Sequence, residues 1–162
     1  MLELRVAALD HPDATRLGAE VQAYYRQVYG DGDATPIAPA QFAAPHGTFL
    51  IGYDARGAAV ATGAWRAVDA DAADPERRDG DAELKRMYVV PGARGNGYAR
   101  IILGELERSA RAAGRRRAIL ETGTGQPEAI ALYLSSGYHP IGRFGPYRND
   151  HRSRCFGKPL VE

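Results

Sequence analysis

Residues 94–99 read RGNGYA, with two glycines between the apolar run LKRMYVV and a helix-like segment, ARIILGELERSARAAG. Glycine between a strand and a helix lets a ligand approach the backbone closely, and it leaves the unpaired amides of the helix start pointing at that ligand. Anion binding is the chemistry this favours, with a phosphate group as the natural guest. Two nucleotide-binding patterns come near it. A dinucleotide fold would use the GNG after a strand, and Glu121 at the end of the next strand stands about where a ribose-binding acid belongs. Against it, the third glycine position is Arg100, and the unit lies in mid-chain with too little sequence on either side for two mononucleotide halves. A P-loop fails because no Gly-Lys-Ser/Thr follows. Other chemistry-bearing residues are sparse. His11, His46, His139 and His151 show no metal-ligand spacing, and Cys155, the single cysteine, reads as a small core residue in a terminal strand.

The elements that must hold the loop alternate between strand and helix. Residues 2–7 alternate Leu2, Leu4 and Val6 against Glu3 and Arg5, which predicts a half-buried strand. A helix follows, with Asp10 as its cap, Leu17, Val21, Tyr24, Tyr25 and Val28 on one face, and Gly30 as its stop. The segment DGDATPIAPAQFAAPHG is turn-rich and is expected to be loop with one helical turn. TFLIGYDARGAAVATGAWRAV predicts an antiparallel hairpin around DARG, and DADAADPERRDGD predicts a solvated loop whose acids lie at the surface. The strand AELKRMYVV leads into the glycine loop. The helix over 98–113 presents Ile102, Leu103, Leu106, Ala110 and Ala113 at helical spacing, with Gly114 at its end. RRAILE is a further strand, QPEAIALYLSSGY a helix opened by Pro127 and closed by Gly137, and the tail two strands around the polar turn GPYRND. The pattern predicts one α/β domain over residues 1–162 with a sheet of mixed direction.

Composition narrows the function. A chain of 162 residues with 44% hydrophobic residues suits one core burying roughly two thirds of the unfolded surface. Lys and Arg number 21 against 20 Asp and Glu, a net charge of +1, so neither nucleic acid nor a membrane surface is expected as a partner. One cysteine excludes an intramolecular disulfide and suits a reducing interior; the N-terminus reads as a short alternating run rather than a basic-then-apolar signal, and no apolar stretch approaches the length of a membrane span. The expected location is the cytoplasm.

Arg94-x-x-Gly97-x-Ala99 resembles the Arg/Gln-x-x-Gly-x-Gly/Ala signature of the GNAT superfamily of acyl-CoA-dependent N-acyltransferases. ELKRMYVVPGARGNGYARIIL is similar to that family's strand, loop and helix block, and PEAIALYLSSGY to its later helix ending Leu-Tyr-x-x-x-Gly-Tyr/Phe. The resemblance implies a twisted, largely antiparallel sheet flanked by helices. It implies N-acetylation of a small-molecule or peptide amine by acetyl-CoA, without a metal, and leaves room for a homodimer. The loop residues Arg94, Gly95, Asn96, Gly97, Tyr98 and Ala99 would then cradle the coenzyme A pyrophosphate, and Met87, Tyr88 and Val89 would offer backbone groups to the acyl and pantetheine part. Asn96 stands where many members have Arg, and Gln126 where the family often has an Asn touching the cofactor arm.

Acetyl transfer from a thioester needs a neutral amine, a polarised carbonyl and a stabilised leaving thiolate. Glu83 matches the position of a catalytic glutamate in some members and is expected as the base, with an exposed strand-end acid as the alternative. Tyr133 matches the Leu-Tyr tyrosine whose hydroxyl assists the thiolate, with a packed core tyrosine as the alternative. Lys85 and Arg86 are expected to be solvated. Trp65, Tyr24, Tyr25, Phe144 and Tyr147 are either acceptor-pocket lining or packing, and Arg148 and Asp150 are candidates to read a carboxylate and an amine. A non-catalytic acyl-CoA-binding module would need only the loop.

Overall fold

The computed structural model describes residues 1–161. Seven strands form one sheet: β1 (Glu3–Val6), β2 (Gly47–Tyr53), β3 (Ala59–Val68), β4 (Asp81–Val89), β5 (Arg117–Gly123), β6 (His139–Ile141) and β7 (Ser153–Pro159). Three helices flank it: α1 (Pro12–Tyr29), α2 (Tyr98–Ala112) and α3 (Pro127–Ser135). The strand order is β1-β2-β3-β4-β5-β7-β6, and every neighbouring pair is antiparallel except β4 and β5. That one parallel pair follows from chemistry already visible in the chain. The glycine loop and α2 form the crossover that a parallel connection requires, whereas DARG needs only a hairpin turn. No helix among the described residues is long and apolar enough to cross a membrane.

Each face of the sheet carries its own core. One packs Leu50, Trp65, Leu84 and Leu120 of the strands against Ile102 and Leu106 of α2, with Tyr133 of α3 in the same cluster. The other packs Phe49, Ile51 and Ala64 against Leu17 of α1 and Phe42 of a short helical turn, Pro39–Phe42. Both faces of β2 and β3 are therefore covered, which explains why TFLIGY reads as a continuous apolar run rather than an alternation.

Local expectations needed three corrections. The cap of α1 is His11, whose Nδ1 accepts from the Asp13 amide at 3.0 Å; Pro12 at the first helical position moves the start one residue past Asp10. Ala113 is exposed at the end of α2 rather than buried, because Gly114 in the left-handed region ends the helix there. The acids of residues 69–81 are not all at the surface. Asp81 is completely buried in a two-pronged pair with Arg117, its oxygens each 2.7 Å from a guanidinium nitrogen, and buried Asp74 accepts from the Gly145 amide at 2.8 Å. Opposite charge, rather than solvent, satisfies Asp81.

The feature that matters for function lies between β4 and β5. Their pairing covers only Asp81 to Glu83 against Arg117 to Ile119 and then stops. Beyond it β5 stays paired with β7 along its whole length, while β4 stays with β3 and is bent by a bulge opposite Gly63. The two strands separate, and the sheet opens. Gly63 is required at this point because α2 presses against the strand: a Cβ there would stand 2.4 Å from Ile102 Cγ2 and 2.8 Å from Met87 Sδ.

Candidate active site

A cavity of about 180 Å³ occupies the gap between the separated strands. Leu84, Lys85, Arg86 and Met87 line it from β4, and Leu120, Glu121, Thr122 and Gly123 line it from β5. The gap connects the two faces of the sheet. Ala129 and Tyr133 of α3 reach it from one face, while Tyr25 and Tyr29 of α1, together with Asp33, reach it from the other.

At the end of β4 a helical turn, Pro91–Ala93, delivers the chain to the glycine loop. Gly95 and Gly97 hold φ of 85° and 77°, the left-handed region, and a Cβ on either would meet no atom within 4 Å. The loop thus faces open space. The first amide hydrogen bond of α2 runs from Ile101 to the Gly97 carbonyl, and the amides from Gly95 to Arg100 have no partner among the described residues. A run of unpaired donors ending in a helix N-terminus makes a concave site for an anion. The side chains of the loop are occupied with holding its shape. The Asn96 amide nitrogen donates to the Ala93 carbonyl at 2.9 Å, and Arg94 Nε donates to the Val89 carbonyl at 3.0 Å, with its guanidinium over the rings of Tyr24 and Tyr88. Arg100 ties α2 to α3 through Ser135 and Ser136.

The two carboxylates expected or weighed for chemistry fare differently. Glu83 is 4% exposed, accepts from Arg66 at 3.0 Å, lies 3.6 Å from Arg77, and does not border the cavity. Arg66 in turn donates to the Pro36 carbonyl and the Gln41 side chain, so this cluster fastens the segment after α1 to the sheet. Glu121 borders the cavity and has one partner, the Ser153 hydroxyl at 2.8 Å. Burial raises its pKa to about 7, against the lowering pull of Ser153 and Lys85. Such a carboxyl is poised to take a proton near neutral pH.

Tyr133 is 5% exposed and burial raises its hydroxyl well above the ordinary tyrosine value, so it stays protonated. Its ring packs edge-on against Tyr138, at 5.7 Å between centroids, and its hydroxyl has no hydrogen-bond partner among the described residues. Gln126 Nε2 donates to the Tyr29 hydroxyl at 3.1 Å at the rim. Of the β4 residues named for their backbone, Met87 lines the cavity, while Tyr88 and Val89 pair with Thr62 and Ala61 on the β3 side. On the β5 side this stretch has no strand partner among the described residues, so its backbone groups there, apart from the Val89 carbonyl that Arg94 holds, remain available to a ligand.

Other expectations sort cleanly. Tyr25 and Tyr147 line the cavity, whereas Trp65 and Phe144 are core. The indole nitrogen of Trp65 donates to Ser109 at 2.7 Å. Asp150 is at the cavity but engaged with Arg152 at 2.9 Å, and Arg148 lines a different hollow. Cys155 is buried, its thiol raised to about 11 by burial, which suits packing rather than nucleophilic attack. Lys85 and Arg86 are not solvated as expected: both are half-buried at the cavity, Lys85 holding Asp33 at 2.8 Å. Despite the cost of burial, that ion pair and the Thr35 contacts keep Asp33 below its ordinary value.

Sequence reasoning placed neither Glu121 nor Arg86 at this cavity, where both are lining residues. For Glu121 a signal existed, since it follows the apolar run Ala118–Leu120 and shares a strand face with Ile119. An acid on such a face is either paired or functional.

Comparison with known proteins agrees with this architecture. The family model of the acetyltransferase (GNAT) family matches residues 15–138. An IAA acetyltransferase of Azospirillum brasilense is 47% identical over 81 residues, which are 50% of this chain and 53% of that protein; the match spans about half the length of this curated relative. Among solved structures, a protein assigned as an acyl-CoA N-acyltransferase from Klebsiella pneumoniae subsp. pneumoniae MGH 78578 superposes with a TM-score of 0.79 at 28% identity, covering 99% of each chain. A GNAT family acetyltransferase from Elizabethkingia anophelis, solved with acetyl-CoA bound, shares the fold with a TM-score of 0.66 at 10% identity, over 98% of this chain and 97% of that one. A family match over three quarters of the sequence is decisive: the protein belongs to the GNAT family of acetyltransferases.

Proposed function

We propose that the protein transfers an acetyl group from acetyl-CoA to the amine of a small molecule by direct attack, with Glu121 as proton acceptor and Tyr133 as proton donor. The observation that carries this reading is one cavity through the opened sheet, bordered by a carboxyl with a pKa near 7 and by a protonated, partnerless tyrosine hydroxyl. The residues present suit the donor. Unpaired amides from Gly95 to Arg100 would hold a pyrophosphate, the free edge of β4 at Met87 to Val89 would hold the pantetheine amides, and Gln126 would contact the arm. Acetyl-CoA supplies an activated acyl carbon and a thiol leaving group.

Glu121 takes the proton of the amine as the nitrogen–carbon bond forms, and Tyr133 gives its proton to sulfur as the carbon–sulfur bond breaks. Atoms balance as amide plus free thiol. The base role goes to Glu121 rather than Glu83 because Glu83 is held by Arg66 and Arg77 away from the cavity. A module that only binds acyl-CoA would use the loop and leave Glu121 and Tyr133 without work. A cytoplasmic setting goes with this reading, since the thioester donor is a cytoplasmic metabolite.

The test has two arms. Acetyl-CoA at about a hundred times its Kd should stabilise the fold by about 2.7 kcal/mol, seen as a rise in melting temperature. Gly97→Val should abolish the rise, because valine is strained at a φ of 77° and would cover the amides. In the second arm, thiol release with a panel of primary amines, with product mass rising by one acetyl group, separates an enzyme from a binding module.

A further inference from the structure

The strand that leads to the glycine loop carries one residue in a costly conformation. Arg86 has φ of 60° and is the one non-glycine residue at positive φ among the described residues. A long side chain in the left-handed region is strained and persists where neighbours impose it. Here the imposing contacts are the bulge opposite Gly63 and a 2.7 Å hydrogen bond from the Thr62 hydroxyl to the Arg86 carbonyl. In a regular strand Lys85 and Arg86 would point to opposite faces. With the bulge, both lie toward α1: Lys85 reaches Asp33, and Arg86 Nη1 comes within 3.5 Å of where a Cβ on Gly18 would stand.

The bulge makes Arg86 part of the cavity wall, with Nη1 of its guanidinium toward Gly18 of α1 and no ion partner among the described residues. Lys85 is paired with Asp33 and Arg152 with Asp150, but Arg86 has no carboxylate partner among the described residues, and its buried Nε has no hydrogen-bond acceptor. A guanidinium presents five donors in a fixed fork and is costly to bury without an acceptor. A carboxylate is the group that matches that fork with two parallel hydrogen bonds. On the facing strand stands Glu121, the proposed proton acceptor, and the cavity between is about 180 Å³.

We infer that the acceptor is a free amino acid, its carboxylate bound by Arg86 and its amine presented to Glu121. The inference rests on the acetyl-transfer reading for the role of Glu121, while the Arg86 site stands on its own contacts. A carboxylate one carbon from the amine is what sets a free amino acid apart from a peptide, and Tyr25, Tyr29 and Tyr147 provide a wall for its side chain.

The experiment compares the twenty amino acids with their methyl esters, which keep the amine and lose the anion. Binding is read by calorimetry with coenzyme A present, so that no turnover occurs, and acetyl transfer is read separately with acetyl-CoA. For at least one amino acid the wild type should favour the free acid by roughly ten- to a hundredfold, the range of a charge-assisted pair. In Arg86→Gln that ratio should fall to about one, and Arg86→Lys, which keeps the charge without the fork, should lie between. Melting curves of each variant establish that it is folded. Equal affinity for acids and esters in the wild type, a preference that survives Arg86→Gln, or no binding by any amino acid would overturn the inference. The two readings fail separately: acetylation of simple amines without acid preference removes the Arg86 site alone, whereas acid preference in binding with no acetylation of any amine removes the transferase reading alone.

Discussion

The β4–β5 pair is closed at one end and open at the other, and the two ends treat charge in opposite ways. At the closed end, Asp81 is matched by Arg117, and Glu83 by Arg66 and Arg77. At the open end, Glu121 has only a serine hydroxyl and Arg86 has no acceptor for its Nε. All four groups lie on two strands within a few residues of one another. At the closed end every carboxylate has a guanidinium partner, although the buried Arg77 Nε and Asp74 Oδ1 lack hydrogen-bond partners, while at the open end Glu121 and Arg86 have no partner of opposite charge among the described residues. Burial of an ionisable group is thus no sign of function by itself; an ionisable group at a cavity without a counter-ion is the candidate.

The contrast is broken most strongly at its closed end. Asp81→Ala leaves Arg117 buried without its counter-ion and should destabilise the protein by about 3–5 kcal/mol, measured by urea unfolding. If Asp81 were instead a surface acid, as its polar neighbourhood in the sequence suggests, the loss would stay below about 0.5 kcal/mol.

At the open end the loss should fall on rate. Glu121→Gln is expected to lower kcat/KM by about a hundred- to a thousandfold, and to remove the rise in activity expected of the wild type as pH passes through about 7. Glu83→Gln supplies the comparison across the strand pair: it should lower the melting temperature and leave that rise in place. A profile that loses its rise in Glu83→Gln and keeps it in Glu121→Gln would exchange the roles of the two acids.

A smaller effect is expected at Tyr133. Tyr133→Phe keeps the ring against Tyr138 and removes the proton, so turnover should fall by about tenfold with acetyl-CoA affinity little changed. The loss is limited because a thiol with a free pKa of about 8.5 already departs readily. Full activity in Tyr133→Phe would return the residue to the core.

The mildest consequence is thermodynamic, and it sharpens the same distinction. A pKa raised from about 4.3 in the unfolded chain to about 7 in the native protein means that the native state binds the extra proton between those values. Stability from this group is therefore present below pH 4 and is lost as pH rises through 7. Discounted for solvent at a part-exposed site, the loss is about 1 kcal/mol. Melting curves at pH 5 and pH 8 should show Glu121→Gln falling less than the wild type over that interval.

Much of the frame was legible in one dimension because it depends on local chemistry. Gly30, Gly97, Gly114 and Gly137 mark helix ends through their tolerance of positive φ, DARG marks a hairpin, and the run of unpaired amides at RGNGYA follows from a glycine loop meeting a helix start. The acetyltransferase family was legible for the same reason, since the signature sits in consecutive residues. Which acid faces the cavity was not legible. Glu83 and Glu121 both end or enter an apolar strand, and nothing near them in sequence tells that Arg66 and Arg77 reach one of them while the other meets only Ser153. Arg86 was read as solvated because the bulge that turns it toward α1 at the cavity wall is set by contact with β3 and α2 on distant parts of the chain. Backbone conformation is decided by neighbours along the chain, so sequence determined the elements and the anion loop. The pairing of buried charges is decided by distance in space, and only the tertiary structure assigned each ion its partner or left it without one.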